Sequence, residues 1–408
     1  MASNLLLGLD IGTSWVKVVL AENRGGKPAL RLIFKQPSLG LRRGAIVDLG
    51  ETSQVVGHAL FEVKKLYKSA IKNIYVNIGS TQVKAQSSHG IVAVSRADNE
   101  IYQDDIDRAI RASQAVNLAA NRTIIHNITR EFIIDGIGDV TDPLGLSGSR
   151  LEVVSLIIDA FSPHIKSLTR AVELSGGRLA GMFFGPIVAS RAVLSKKQKD
   201  LGVALIDIGA GTTGLSVYEE NKLIGVANFP FGAGNVSNDL AIALRIPVSA
   251  AEDLKLDVGC AVAREISSKE LVDLKKFSPE AKGTTTRRYI AEIIEIRLAE
   301  IFEFVNNELK VLGRAGQLAG GAVLVGGGAK MPGITELAMQ KLKLSSQIGS
   351  PLREDWVIES PKLSESFEDP EFAGALGLAL GGSDEERWKP AVPSSGFKLG
   401  NLLRYFNP

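Results

Sequence analysis

The chain reads as a duplicated α/β protein, two lobes facing one another across a cleft, and three features lead there. The first is an echo. "LLLGLDIGTSWVKVVL" begins at Leu5 and "GVALIDIGAGTTGLSVY" at Gly202, each an apolar run ending in Asp, then Ile-Gly, a small or hydroxyl residue and an alternating stretch. The second is that alternation: Val16, Val18 and Leu20, or Leu215 and Val217, suit strands with one face buried, and the glycines suit the tight turn before each. The third is composition, since 408 residues with 45% hydrophobic and 23% charged side chains can build two or more cores.

Composition also removes function classes. A net charge of +2 argues against a dedicated nucleic-acid binder. The single cysteine, Cys260, excludes an internal disulfide framework and fits a reducing compartment. No apolar run reaches the roughly 18 residues of a membrane span, and the start MASNLLLGLD turns acidic too early for a signal peptide, so retention in the cytoplasm is expected. His58, His89, His126 and His164 lack metal-ligand spacing, and no nucleophile elbow supports Ser-His-Asp chemistry.

Taken in order, the turn Gly12-Thr13-Ser14 and its counterpart Gly209-Ala210-Gly211-Thr212-Thr213 can point successive backbone N–H groups at an anion, because glycine admits close approach and positive φ. Two such turns describe a clamp for a polyphosphate. Asp10 and Asp207 stand where each strand enters its turn, placed to hold Mg²⁺ through its waters. Lys17 on the return strand would offset phosphate charge, a solvated strand lysine being the alternative. In "SAAEDLKLDVG", Ser249 as N-cap sets Glu252 and Lys255 one turn apart, in reach of a ribose and a base. "AVLVGGGAKMPGI" runs a buried strand into Gly327, Gly328 and Lys330, where an adenosine-sized group can approach the backbone.

The succession DIGTSWVKV, DIGAGTTGLSVY, VGGGAKMPG and DPEFAGALGLAL resembles the phosphate-1, phosphate-2, adenosine and second connecting motifs of the actin-like ATPase superfamily. "RRGAIVDLGE", "NIYVNIGST", "DPLGLSGSRLEV", "SAAEDLKLDVGCA" and "RRYIAEIIEIRLAEIFEFVNNEL" look like the FtsA family of bacterial division proteins, over about Leu5 to Leu380. The resemblance implies an actin-like (ribonuclease H-like) two-lobe fold with an inserted 1C subdomain. Its divisions here would be 1–82 and 160–199 for the first lobe (1A), 83–159 for 1C, 200–226 and 308–366 for the second lobe (2A), 227–307 for 2B, and 367–382 for a helix returning to the first lobe. Within 1C the residues read strand, helix, strand, strand, with "DVTDPLGLSGSR" a loop.

ATP and Mg²⁺ are the cofactors so implied. The superfamily's active ATPases place Glu or Gln at the start of the first connecting helix to orient water, whereas "FFGPIVASRAV" has Gly185 there, and Gly214 stands where several relatives have Asp. Without a water-positioning group, binding should outlast turnover, so weak or no ATPase activity and no catalytic residue are expected. In the long helix near 287–307, Ile290, Ile293, Ile294, Ile301 and Phe304 form an apolar stripe with Arg288 and Arg297 off it. By themselves these are exposed arginines of a core helix; the resemblance implies that they meet the acidic C-terminal peptide of FtsZ, the tubulin-like ring protein.

After Gly382, "SDEERWKPAVPSSG" (383–396) reads as a flexible linker. "FKLGNLLRYFNP" (397–408) follows, with Phe397 at its head and Leu399, Leu402, Leu403 and Phe406 at helical spacing, an amphipathic tail for a bilayer surface. A frayed tail docking on its own domain is the alternative. The whole is expected to be a division protein that polymerises on the cytoplasmic face of the cell membrane at the division site and tethers the FtsZ ring there, with other division proteins as further partners. A PilM-like pilus-assembly protein is one alternative, against which the tail counts. A kinase or chaperone ATPase of the superfamily is the other, against which Gly185 counts.

Overall fold

The computed structural model describes residues 5–24, 27–281 and 283–383. Strands β1 (Leu5–Ile11), β2 (Trp15–Arg24) and β3 (Lys27–Pro37) form an antiparallel meander, followed by a small hairpin, β4 (Leu41–Arg42) and β5 (Ala45–Ile46). Helix α1 (Leu49–Leu66) starts where the Asp48 carboxylate accepts the Glu51 N–H at 2.9 Å, and β6 (Ile74–Ile78) returns parallel to β1. The chain then leaves the lobe for β7 (Val83–Ala93), α2 (Gln103–Ser113), β8 (Arg122–Ile134), β9 (Ile137–Val140) and β10 (Arg150–Phe161). It comes back through α3 (Ser162–Leu174), β11 (Leu179–Phe184) and α4 (Gly185–Val193).

A short helix, α5 (Lys196–Leu201), leads to the second meander, β12 (Val203–Ile208), β13 (Thr213–Glu219) and β14 (Lys222–Phe229). Next come α6 (Ala233–Leu244), α7 (Val248–Val258), the pair β15 (Leu271–Asp273) and β16 (Thr284–Thr286), and the long α8 (Arg287–Val311). Strands β17 (Ala322–Val325) and β18 (Ser346–Ile348) flank α9 (Ile334–Leu342), and α10 (Pro361–Glu368) and α11 (Ala373–Ser383) close the described chain.

The echo in the sequence is an echo in topology. One five-stranded sheet runs β11-β6-β1-β2-β3 and the other β18-β17-β12-β13-β14. Each opens with a hairpin in the same register, Asp10 opposite Lys17 and Asp207 opposite Gly214, and each first strand gains a parallel partner, β6 or β17. The fold is therefore an actin-like α/β duplication. The hairpins do not bury a single face as their alternation predicts. Val16, Val18, Val19, Leu20 and Ala21 are all buried, as is β13 from Thr213 to Tyr218, because these sheets carry helices on both sides.

The helices at the lobe junction are exchanged. Helix α11, from the end of the chain, lies on β1 so closely that a Cβ on Gly8 would fall 2.4 Å from the Ala375 carbonyl oxygen. Helix α4 leans the other way, onto β13, where a Cβ on Gly214 would meet Pro186 Cγ at 2.4 Å. The two helices cross at Gly377, whose added Cβ would sit 1.9 Å from the Val188 carbonyl oxygen.

The inserted unit is an antiparallel sheet, β7-β10-β8-β9, with α2 and a core of its own built on Val94, Ile101, Ile106, Phe132 and Leu151. Strand β9 takes the first residues of the stretch expected to be loop. Two further local readings are corrected. Helix α7 begins at Val248 with Pro247 in the cap position, so Ser249 lies inside the helix and caps nothing. The buried stripe of α8 runs through Ile290, Ile294, Leu298, Ile301, Phe302 and Val305; Phe304 is 43% exposed and stacks on Phe231 instead, and Ile293 is only half-buried.

Candidate functional site

The two hairpin turns are built alike. Gly12 N–H donates to the Trp15 carbonyl at 3.0 Å, and Gly209 N–H to that of Thr212 at 2.9 Å. None of Gly12, Gly209 and Gly211 takes a positive φ, so conformational freedom is not why they are glycine. Gly211 is needed for approach: its Cβ would stand 2.6 Å from Thr13 Oγ1, because the turns meet tip to tip. Thr13 Oγ1 in turn accepts the Gly44 N–H at 3.1 Å. The second turn is pinned to the start of α6, where Ala233 and Gly234 N–H groups donate to the Gly209 and Ala210 carbonyls at 2.8 and 2.9 Å.

Beneath the turns lies a charged floor. Lys17 Nζ stands 3.0 Å from Asp10 Oδ2, and both side chains are nearly closed to solvent. Burial works to lower the Lys17 pKa, but the charges of Asp10, Asp207 and Glu371 outweigh it and hold the ammonium above its usual value. Lys17 is thus a tethered interior cation, not a solvated strand lysine. Asp207 faces it from the other lobe; burial pushes its carboxyl up to about 6, with Asp10 reinforcing the rise and Lys17 opposing it. A Cβ on Gly326 would lie 2.4 Å from Asp207 Oδ1, so this position, at φ 85°, admits no side chain.

The cleft holds about 770 Å³ and is lined by Asp10, Gly12, Thr13, Ser14, Lys17, Asp207, Gly209, Gly211, Thr212, Glu252, Lys255, Gly327, Gly328 and Lys330. Thr213 is not among them: it is fully buried, and its hydroxyl donates to the Phe231 carbonyl at 2.8 Å. Glu252 keeps a partly open carboxylate on the wall. Lys255 is buried behind it at the cleft wall, with Nζ 2.7 Å from Glu252 Oε2, 3.1 Å from Ser237 Oγ and 3.3 Å from the Ala233 carbonyl, so its ammonium is engaged in orienting the acid. Lys330 bonds Asp369 at 2.7 Å, and Asp369 and Glu371 raise its pKa against the lowering effect of burial.

Sequence reasoning missed Glu371, Lys35 and Asn77. Glu371 is 6% exposed at the head of α11 and pairs with Lys35 at 2.6 Å and Lys330 at 3.6 Å. It sits inside the "DPEFAGALGLAL" stretch, so the signal was present. Asn77, at the end of β6, also lines the cleft, as does Gly185 at the start of α4. No group of three or more His, Cys, Asp or Glu side chains is placed to hold a metal among the described residues. Two carboxylates, Asp10 and Asp207, suit Mg²⁺ held through water and phosphate oxygens, which asks for no protein cage.

Arg288 and Arg297 are not brought together. Nine positions apart on one helix, they point to roughly opposite sides. Arg297 is committed to Asp239, at 2.6 and 3.0 Å, and to Glu300 at 2.7 Å. Arg288 is more open, with a loose Glu292 contact at 3.5 Å. Phe397, Leu399, Leu402, Leu403 and Phe406, with most of the 383–396 linker, lie outside the described residues. Among those described, no helix is long and apolar enough to cross a membrane.

Known proteins show which family and fold the chain shares. A family profile described as "Cell division protein FtsA" matches residues 204–377, and one described as "SHS2 domain inserted in FTSA" matches 80–158. The cell division protein FtsA of Bacillus subtilis (strain 168) is 35% identical over 86% of this chain and 79% of its own length. That of Pseudomonas aeruginosa is 30% identical over 94% of this chain and 91% of its own. Among solved structures, a PilM-PilN type IV pilus biogenesis complex superposes with a TM-score of 0.66 at 20% identity, covering 93% of this chain and 98% of that one. MreB5 of Spiroplasma citri bound to ADP gives 0.54 at 15% identity, covering 93% and 96%. At these identities the structural likeness speaks for the actin-like fold alone.

Proposed function

The chain belongs to the FtsA family of cell division proteins, and from that premise we propose that it is an ATP-binding, filament-forming protein that tethers the FtsZ ring to the cytoplasmic face of the membrane at the division site. The observation that carries the nucleotide part is the meeting of two matched turns above Asp10, Lys17 and Asp207 in a cleft of about 770 Å³. The turn backbones and Lys17 would take the phosphates, Asp10 and Asp207 the waters of Mg²⁺, and Glu252 with the Gly327–Lys330 segment the nucleoside. The metal would supply neutralisation of phosphate charge. The described side chains put no acid at the head of α4: an added Cβ on Gly185 would meet only the Ile78 carbonyl oxygen, at 3.9 Å. Space for a water-positioning group exists and the group does not, which favours binding with little turnover.

For the FtsZ peptide, the ion pairs alter how the reading is tested. Arg297→Glu would set a third acid beside Asp239 and Glu300, so Arg297→Gln is the cleaner change, with Arg288→Glu beside it. Each should weaken an acidic FtsZ C-terminal peptide several-fold in fluorescence anisotropy and leave ATP binding intact. Unchanged affinity in both variants would remove this helix from the interface.

The decisive experiment for the whole is electron microscopy on lipid monolayers with and without ATP. Ordered filaments should form only with both. Deleting Phe397–Pro408 should abolish liposome co-sedimentation while ATP binding survives, because four apolar side chains at about 1.5–3 kcal/mol each, less the ordering of the tail, give weak single attachment that a filament multiplies. Filaments that ignore both nucleotide and lipid would overturn the proposal.

A further inference from the structure

We propose that the Asn77 carboxamide, backed by the first turn of α4, recognises the terminal phosphate of the bound nucleotide and lets the cleft tell a triphosphate from a diphosphate. The proposal rests on the nucleotide reading above and extends it to a residue which that reading does not use.

Strand β6 lies between β1 and β11, parallel to both, so the C-terminal ends of three strands converge under the first turn. Ligands of open α/β sheets gather at such ends. Asn77 is paired in register with Phe183 and is 8% exposed. Its Oδ1 accepts the Ile11 N–H at 2.8 Å. That bond fixes the amide orientation, since only the oxygen can take it, and leaves Nδ2 on the other side. Among the described residues nothing accepts from Nδ2, although Asn77 lines the cleft. Nδ2 opens onto the cleft, so a ligand oxygen can accept from it in place of solvent.

The position within the cleft says which acceptor. Glu252 and Gly327–Lys330 mark the nucleoside end, and the two turns span the middle. Asn77 lies beyond them with Gly185 and Pro186, where the nine-residue α4 begins. A helix start is positively polarised and favours an anion. The group reaching this corner is the last phosphate, present in a triphosphate and missing from a diphosphate. With no side chain on Gly185, the amides at hand there are Asn77 and Asn228; Asn228 spends its Nδ2 on the Gly79 and Ser80 carbonyls, which leaves Asn77 to donate, and an amide nitrogen donates without accepting a proton. It can therefore bind a phosphate oxygen and cannot serve as a base, which accords with recognition in place of hydrolysis.

The test measures dissociation constants of the full chain for Mg-ATP and Mg-ADP by fluorescence of ribose-labelled nucleotides. Asn77→Asp keeps the oxygen for Ile11 and replaces the donor with an anion. It should weaken ATP by about tenfold or more while ADP changes by less than about twofold. Asn77→Ala, which adds no charge, should narrow the ATP-to-ADP preference in the same direction, so the outcome does not depend on the Asp variant folding. Equal losses for both nucleotides would assign Asn77 to holding β1 through Ile11 and overturn the proposal, as would no change. A wild-type protein that binds neither nucleotide would instead overturn the nucleotide reading itself, and this inference with it.

Discussion

His126 of the inserted sheet accepts the Phe184 N–H through Nε2 at 3.0 Å, one residue before α4, and lies stacked on Phe183. Burial pushes its pKa from 6.5 down to about 4. Between those values the unfolded chain binds the proton and the folded one does not, so this group's stabilisation is complete above pH 6.5 and is lost as pH falls toward 4, up to about 3 kcal/mol. Asp207 acts in the opposite sense: raised from 3.8 to about 6, it takes a proton in the folded state, and its contribution falls as pH rises through that range. Measured by urea unfolding from pH 4 to 7 and compared with wild type, His126→Gln, which keeps an acceptor for Phe184, should flatten the acid loss. Asp207→Asn should steepen it. Identical slopes in all three proteins would refute both assignments. On the proposed reading Mg²⁺ would need the ionised Asp207, so stabilisation by Mg-ATP, about 2.7 kcal/mol at a hundredfold excess over Kd, should fade below pH 6. It should be absent in Asp207→Ala at any pH; a melting temperature of that variant still raised by Mg-ATP would place the metal elsewhere.

At the scale of elements, the glycines that matter most are at helix contacts. Gly377→Ala forces a Cβ to within 1.9 Å of a backbone oxygen on α4, and neither backbone can step aside without parting the lobes. Chemical unfolding should show a loss of about 1–3 kcal/mol or more. Gly185→Ala, in open space on the same helix pair, should cost far less, and equal losses would mean that α4 and α11 are not so tightly crossed. These contacts also show what the sequence could convey. Hairpins, the inserted strands and the turn residues were legible because each is a local pattern of a few residues. The exchange of α4 and α11 was not, since Gly377 and Val188 are far apart in sequence and each reads as an ordinary helix residue. The same reason hid Asn77, whose oxygen serves Ile11, and the burial of Thr213, whose hydroxyl is spent on Phe231. Lys255 and Arg297 were found as charges, but which acid each would face was a tertiary fact.

Across the whole molecule, the inserted unit braces both lobes. While His126 holds the first, Arg130 of the same strand reaches the second, donating from Nε to the Leu223 carbonyl at 3.0 Å and from Nη2 to that of Ile224. Asp139 on β9 pairs with Lys222 at 2.6 Å beside it. Between the lobes, Asn228 Nδ2 donates to the Gly79 and Ser80 carbonyls at 2.8 and 3.0 Å. Opening of the cleft must therefore break the Asn228 bonds at the cleft wall and strain the Arg130 bonds of the inserted unit outside it. The two cross-links differ in weight. Asp139 is 81% exposed, so its pair is screened and contributes little, whereas Arg130 is half-buried and satisfies two strand carbonyls. If the proposed nucleotide leaves by cleft opening, Arg130→Ala should accordingly speed release of a labelled nucleotide in stopped flow by about threefold or more, while affinity falls less than the rate rises. Hydrogen exchange along β14 should quicken in the same variant. Asp139→Ala should change neither, and a release rate in Arg130→Ala equal to wild type would mean that the inserted unit rides on the lobes without restraining them.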